Sequence, residues 1–423
     1  MTRLQERVNC KGWFIFFLLC FCFVLSAFSF HDFLNQKQID AQALLQLKMS
    51  VKIDPTFSLS NWVARNNVCN WTGITCDYKD RVVSVVLKYK ALSGRIPPHM
   101  GNISFLTTLD LSNNYLYGSI PHHFGKLEKL QYLNLQGNHL QGSIPPTLHA
   151  CTNLLQLSLK HNFLSGSIPV ELSSLHNLER LMLGTNNLTG VIPQELANCS
   201  ALKTIHFGWN LLTERIPSKL RALRDLRHHR RDWPITATRK LELGNNTLTG
   251  GIPKALGNCS SLEILNLYSN SFYGYIPAEL GSLRLVQILQ LDENSLGGSI
   301  PSSLMNCTEL KYLSLGHNRL VGTITENIGY NLPKLEVIFL GQNNLNGSLP
   351  KSIGNCSALY ILSTKDNNLS GVIPRELEML SLLQVLVLGS NHYKGDVLPL
   401  LLNCTQLRAL GLEVNRFEGS IPV

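Results

Sequence analysis

The chain has 423 residues, 44% of them hydrophobic and 15% charged, with a formal net charge of +9. That much apolar material excludes a disordered chain and is enough for an extended core. The basic balance alone would suit nucleic acid. However, the Lys and Arg residues are scattered and no RNA- or DNA-binding module is legible, so the charge is read as that of a basic secreted protein meeting acidic walls or peptides.

The N-terminus carries Arg3, Arg7 and Lys11, followed by an almost uninterrupted apolar run from Trp13 to Phe28. Ala27 and Ser29 occupy the −3 and −1 places for cleavage before Phe30, so residues 1–29 read as a signal peptide. The run is short for a membrane span, and a signal anchor is the alternative reading. No second apolar stretch of spanning length follows.

Residues 30–80 form the next unit. Leu44, Leu45 and Leu47 read as one apolar helix face. Further on come Asn61-Trp62 and then Cys69-x-Trp71-x-Gly73-Ile74-x-Cys76. Together with Asp40, Ala43 and Lys48, these resemble the N-terminal cap of plant leucine-rich-repeat proteins. By that resemblance Cys69 and Cys76, in an exported chain, can staple the cap. Two unpaired thiols are the alternative.

Residues 81–423 repeat the pattern L-x-x-L-x-L-x-x-N-x-L-x-G-x-I-P. Its Asn recurs at Asn114, Asn138, Asn162, Asn186, Asn210, Asn246, Asn270, Asn294, Asn318, Asn343, Asn367, Asn391 and Asn415, and Lys90 holds the place in the first, atypical repeat. The step is 24 residues except for 36 before Asn246 and 25 before Asn343. A fixed period of this length predicts a solenoid, and about fourteen coils replace the two or three globular domains that length alone suggests. Leu109 and Leu111 alternate with polar residues, as a short strand with inward leucines requires. The recurrent Asn has the donors and acceptors to satisfy backbone where the coil turns away from its strand. In Leu116-x-Gly118-x-Ile120-Pro121, Gly permits a tight backbone, Ile returns to the core and Pro blocks ladder pairing on that edge. Phe124 and Leu127 then pack the convex side.

The expected fold is therefore an α/β-type repeat solenoid. It is a curved array with a parallel β-sheet on its concave side and an N-terminal helical disulfide cap. The Gly-x-Ile-Pro form resembles the plant-specific subclass of leucine-rich repeats.

Cys10, Cys20 and Cys22 leave with the signal peptide. Cys151, Cys199, Cys259, Cys307, Cys356 and Cys404 share one repeat position, which alternate coils fill with Leu. Two coils are about 9.5 Å apart at a strand spacing of about 4.8 Å, beyond the roughly 7 Å Cα limit for a disulfide. These six read as small buried hydrophobes, neither bridges nor metal ligands. Eleven N-x-S/T sequons are glycosylation candidates: Asn70, Asn102, Asn187, Asn198, Asn245, Asn258, Asn306, Asn346, Asn355, Asn368 and Asn403. The same Asn and Ser/Thr residues also suit turn backbone without sugar.

Arg227 to Thr238 are twelve extra residues that break the period, and Glu214 just before them stands where Gly is usual. The insertion reads as a basic ligand-contacting island, a tolerated surface loop or a gene-model artefact. It is expected to leave the strands on either side in register.

No catalytic motif is present. His229-Arg230-Arg231-Asp232 has the wrong order for a kinase catalytic loop, and the pairs His122-His123 and His228-His229 lack further metal ligands at useful spacing. The reading is no enzyme, no cofactor and no metal.

From Asp40 onward the chain is similar to the ectodomain of a plant leucine-rich-repeat receptor-like kinase, in the group that includes the flagellin and elongation-factor receptors. The resemblance implies an extracellular array that binds a peptide or protein ligand, in defence or development signalling, with a possible co-receptor kinase. A membrane span and Ser/Thr kinase domain would place a full-length relative at the plasma membrane. The sequence stops at Ile421-Pro422-Val423 in repeat fourteen, so it reads as truncated before a C-terminal cap, span and kinase. A soluble inhibitor or decoy, resembling the polygalacturonase-inhibiting proteins that bind a microbial enzyme, is the main alternative. A structural wall protein is a third. The ligand-binding candidates are His206, Trp209, Tyr268, Tyr312 and Phe339, large side chains placed on the concave face. Lys160, His161 and Arg180 near them would suit an acidic segment, and sugar on Asn245 would split the patch.

Overall fold

The structure, a computed structural model, describes residues 36–220 and 239–419. The signal peptide, the insertion Arg227 to Thr238 and the final Ile421-Pro422-Val423 lie outside the described residues.

Each coil spends its period on three short segments. The x-L-x stretch is a three-residue strand, such as Thr108–Asp110 or Tyr132–Asn134. Neighbouring coils pair these strands in parallel with matching positions aligned, Leu109 beside Leu133. The result is one 15-stranded sheet in chain order. Its central side chains from Val85 to Leu386 point inward and are buried, because each lies between the elements before and after it.

The ladder Asn acts as expected, and across coils. Asn138 Nδ2 donates to the carbonyls of Leu135 at 3.1 Å and of Leu111, one coil back, at 3.0 Å. Its Oδ1 accepts from the Leu116 N–H at 3.0 Å. A buried amide so placed satisfies backbone groups that the coil's turn leaves without a ladder partner.

One element was not legible in the sequence. The N-x-L-x-G segments, expected to be unpaired edges, form a second parallel ribbon: Tyr117 pairs with His139 and Gly118 with Leu140. The Pro does not block this pairing, because it lies past its end. Pro121 caps the following 3-10 turn, His122–Lys126, and its carbonyl accepts from the Phe124 N–H at 3.1 Å. The convex side is thus built mostly of 3-10 turns of five residues. Gly118 ends its ribbon strand at φ +84, a conformation that glycine adopts without strain.

Among the described residues the irregular repeat interrupts this ribbon, and the main sheet shows a register shift between Arg239 and Lys240. The ribbon divides into seven- and eight-stranded parts between Leu211–Leu212 and Thr249–Gly250. Glu214, in the glycine's place, is held at φ 64. The main sheet continues across the insertion, with Ile205 beside Leu241 and His206 beside Glu242. The strands on either side stay in register, as expected.

The cap folds as its residues suggest. A helix over 36–50 buries Leu44 and Leu47, and Leu45 is half-buried against the same core. Trp62 and Trp71 stack with centroids 5.4 Å apart, and Trp62 Nε1 donates to the Thr72 carbonyl at 3.0 Å. Cys69 and Cys76 form a disulfide across Cα atoms 5.5 Å apart. Strand Ile74–Cys76 pairs antiparallel with Val82–Val86 and covers the outer edge of the main sheet.

The other six cysteines are buried thiols. Burial pushes Cys151 and Cys356 up to about 12 and Cys199 and Cys307 to about 11, which makes them poor nucleophiles. They are more than small hydrophobes, however. Cys151 Sγ donates to the Phe124 carbonyl of the preceding coil at 3.2 Å, which a Leu in the same place cannot do.

Candidate ligand-binding face

The concave sheet presents side chains in columns, one residue per coil. His206 and Phe339 belong to one column, opposite Glu242 and Ser314. Tyr312 belongs to another, beside Ile288 and Val337. Trp209 occupies the turn position before the ladder Asn, which every coil holds at positive φ, here 59. The five candidates therefore share a face without forming one patch.

Two of them are engaged with the fold. The His206 ring lies over Gly184 of the preceding coil, filling the space a Cβ there would take, and Tyr268 lies over Gly244 in the same way. His206 Nε2 is 3.3 Å from Glu242 Oε2. Burial lowers the histidine's pKa while Glu242 opposes that shift, so near neutrality this contact is closer to a hydrogen bond than an ion pair. The Tyr268 hydroxyl accepts from Asn245 Nδ2 at 2.9 Å. The Asn245 amide that a glycan would need is thus already in use, and Asn245 is half-buried. The other ten sequon asparagines are exposed.

The remaining three face outward. Trp209 is 57% exposed. Tyr312 and Phe339, 27 residues apart in sequence, meet on adjacent coils with ring centroids 6.2 Å apart. Beside them opens a cavity of about 320 Å³, also lined by Asp292, Glu293, His317, Lys365 and Asp366. Sequence reasoning missed these charged residues. A signal was available: Asp292 occupies a column that is glycine at 184, 208, 244, 316 and 341.

Larger depressions of about 830 and 710 Å³ run over the Ile-Pro turns at Ile144, Ile168 and Ile192, and again at Ile300. Their recurrence marks them as furrows between coils rather than a built site. The basic neighbours are dispersed. Lys160 and His161 lie at the turn, where burial and the nearby lysine lower the His161 pKa. Arg180 is held by Gln156 Oε1 at 3.3 Å. Among the described residues no group of three or more potential metal ligands occurs, and no helix is long and apolar enough to cross a membrane.

Known families account for this geometry. A leucine rich repeat N-terminal domain matches residues 38–77, and leucine rich repeat models match 95–140, 153–175, 177–199, 238–259, 261–283, 285–307 and 334–356. The chain belongs to the leucine-rich-repeat family.

Within that family this repeat array has the form of a plant receptor ectodomain. A probable LRR receptor-like serine/threonine-protein kinase of Arabidopsis thaliana is 41% identical over 102 residues, which is 24% of this chain and 10% of that one. The array thus matches about a tenth of that kinase's length. A TDR receptor crystal structure superposes with a TM-score of 0.75 at 31% identity, covering 84% of this chain and 60% of that one. The Arabidopsis receptor kinase HAESA, solved with the peptide hormone IDA and the co-receptor SERK1, gives 0.61 at 29% identity over 90% and 75%.

Proposed function

We propose that this array is the extracellular ligand-recognition surface of a plant receptor-like kinase, with residues 30–80 as its cap and 81–423 as its repeats. An extended peptide or protein epitope lies across the concave sheet between the coils of Trp209 and Phe339, and a co-receptor kinase completes the signalling complex. The observation that carries this reading is the outward Trp209 together with the Tyr312–Phe339 pair beside a cavity on the concave side. Large exposed aromatics are costly to leave bare and are typical anchors of interfaces. The HAESA complex supports the same class of ligand, since that relative binds a peptide hormone. The role is recognition in defence or development signalling, outside the cell or at the plasma membrane, with no catalysis by the repeats themselves.

The test is a positional-scanning array of synthetic 12-residue peptides probed with the purified chain. The wild-type chain is expected to select a subset of sequences. Replacing Trp209, Tyr312 and Phe339 with Ala should weaken that binding about tenfold or more while leaving the circular-dichroism melt in place. A chain that selects no peptide, or a triple variant that binds as the wild type does, overturns the proposal.

A further inference from the structure

The cavity beside Tyr312 and Phe339 has a distinct chemistry. Its wall carries three carboxylates, Asp292, Glu293 and Asp366. Against them stand His317 and Lys365, and Lys365 is already taken: its Nζ lies 3.1 Å from Glu413 Oε1 on a further coil. The cavity is therefore acidic, with its one lysine neutralised from outside.

A second feature is an orphaned oxygen on one of its lining residues. Asp292 Oδ1 is buried and has no hydrogen-bond partner. A carboxylate oxygen withdrawn from water without a donor costs free energy, which a donor or a cation would recover. Burial accordingly raises the Asp292 pKa, with the Ser314 hydroxyl and His317 opposing and Glu293 reinforcing the shift. A third feature is the aromatic pair, with Tyr312 and Phe339 inclined at 54°. Ring faces next to carboxylates suit a flat cation, which can stack on one group while its N–H donors reach the other. A volume of about 320 Å³ admits a guanidinium with its methylene stem and leaves room for water.

We propose that this cavity seats an arginine side chain of the bound peptide or protein, with its guanidinium between the Tyr312–Phe339 pair and the carboxylates of Asp292 and Asp366. This specificity site rests on the proposed use of the concave face and adds a chemical requirement to it. An acidic or apolar side chain at the same place would leave Asp292 Oδ1 without a donor, and a neutral amide would supply a donor but no charge. Lysine would supply charge but no planar fork.

The experiment uses the same 12-residue peptide array, in which each arginine-bearing peptide is paired with its citrulline counterpart, equal in shape and uncharged. The wild-type chain is expected to favour arginine over citrulline at one position by about tenfold or more, as for a charged group facing a desolvated partner. Asp292→Asn should bring that ratio close to one while retaining the preferences at other positions. Asp366→Asn, the other carboxylate of the seat, should reduce it partially. Melting curves of both variants guard against unfolding. Peptides that bind with no arginine preference, or an Asp292→Asn chain that keeps the preference, overturn this inference and leave the peptide-binding face standing. A chain that selects no peptide at all removes both.

Discussion

The two ends of the described solenoid meet the same physical problem differently. At the N-terminal end, the helix over 36–50, the Trp62–Trp71 stack and strand Ile74–Cys76 cover the first coil, and Val85 is fully buried. At the other end, Ala409–Gly411 is the last strand of the main sheet. Leu410 there is 44% exposed, whereas Leu386, its partner one coil earlier, is 0% exposed. The two leucines hold the same repeat position and differ only in having a coil on their far side. Apolar burial in this fold is thus a property of neighbours, not of the coil itself.

Polar satisfaction obeys another rule. Asn415 in the last coil keeps the full pattern: Nδ2 donates to the carbonyls of Leu388 at 3.0 Å and Leu412 at 3.2 Å, and Oδ1 accepts from the Tyr393 N–H at 3.0 Å. The ladder points backward along the chain, so a terminal coil can be complete in hydrogen bonds and still open in its core.

The largest effect should come from removing the cover. Trp62→Ala leaves a void under the cap helix and is expected to cost about 3–5 kcal/mol. In hydrogen exchange, strands Val82–Val86 and Thr108–Asp110 should lose protection while Tyr312–Ser314 keeps it. Equal loss along the whole array would mean the cap does not act locally.

A matched pair of truncations sharpens the contrast. Leu386→Ala should destabilise the chain by about 2–5 kcal/mol, whereas Leu410→Ala should cost under about 1 kcal/mol, since less than full burial is lost. Urea unfolding of the two variants measures the difference. Similar losses would show that the last coil is covered in solution.

A further effect is one of pH and concerns the capped end. Asp40 is fully buried in the cap helix, accepting from Gln36 Nε2 at 2.7 Å and from the Val82 N–H at 3.2 Å. Burial pushes its pKa from 3.8 up to about 6, with Gln36, Val82 and Arg81 opposing and Asp77 adding slightly. The folded state therefore holds this proton more tightly than the unfolded chain. Its contribution to stability is fully present below the unfolded value of 3.8 and is lost as pH rises through about 6. The loss is at most about 3 kcal/mol by linkage. Thermal melts between pH 4 and 7 should show the decline in the wild type and a flatter profile in Asp40→Asn. A wild-type cap that grows more stable over that window would contradict the assignment.

Much of this molecule is legible in its repeat. The period placed the strands, the ladder Asn and the buried cysteines correctly, because each coil gives the same position the same surroundings. Cys69 and Cys76 stood out by resemblance, and the disulfide is there. The sequence did not reveal the second ribbon at Tyr115–Gly118, because its pairing depends on where adjacent coils bring backbone groups rather than on any apolar alternation. Nor did it tell free aromatics from engaged ones. His206 and Tyr268 lie down because the coil before each offers a glycine, while Tyr312 finds Phe339 because one extra residue still leaves their coils in register. Composition and period fixed what each coil contains. Only the stacking of one coil on the next decided which side chains, Asp292 among them, are left facing a cavity without a partner. Contacts across coils join residues some two dozen positions apart, and no single repeat encodes them.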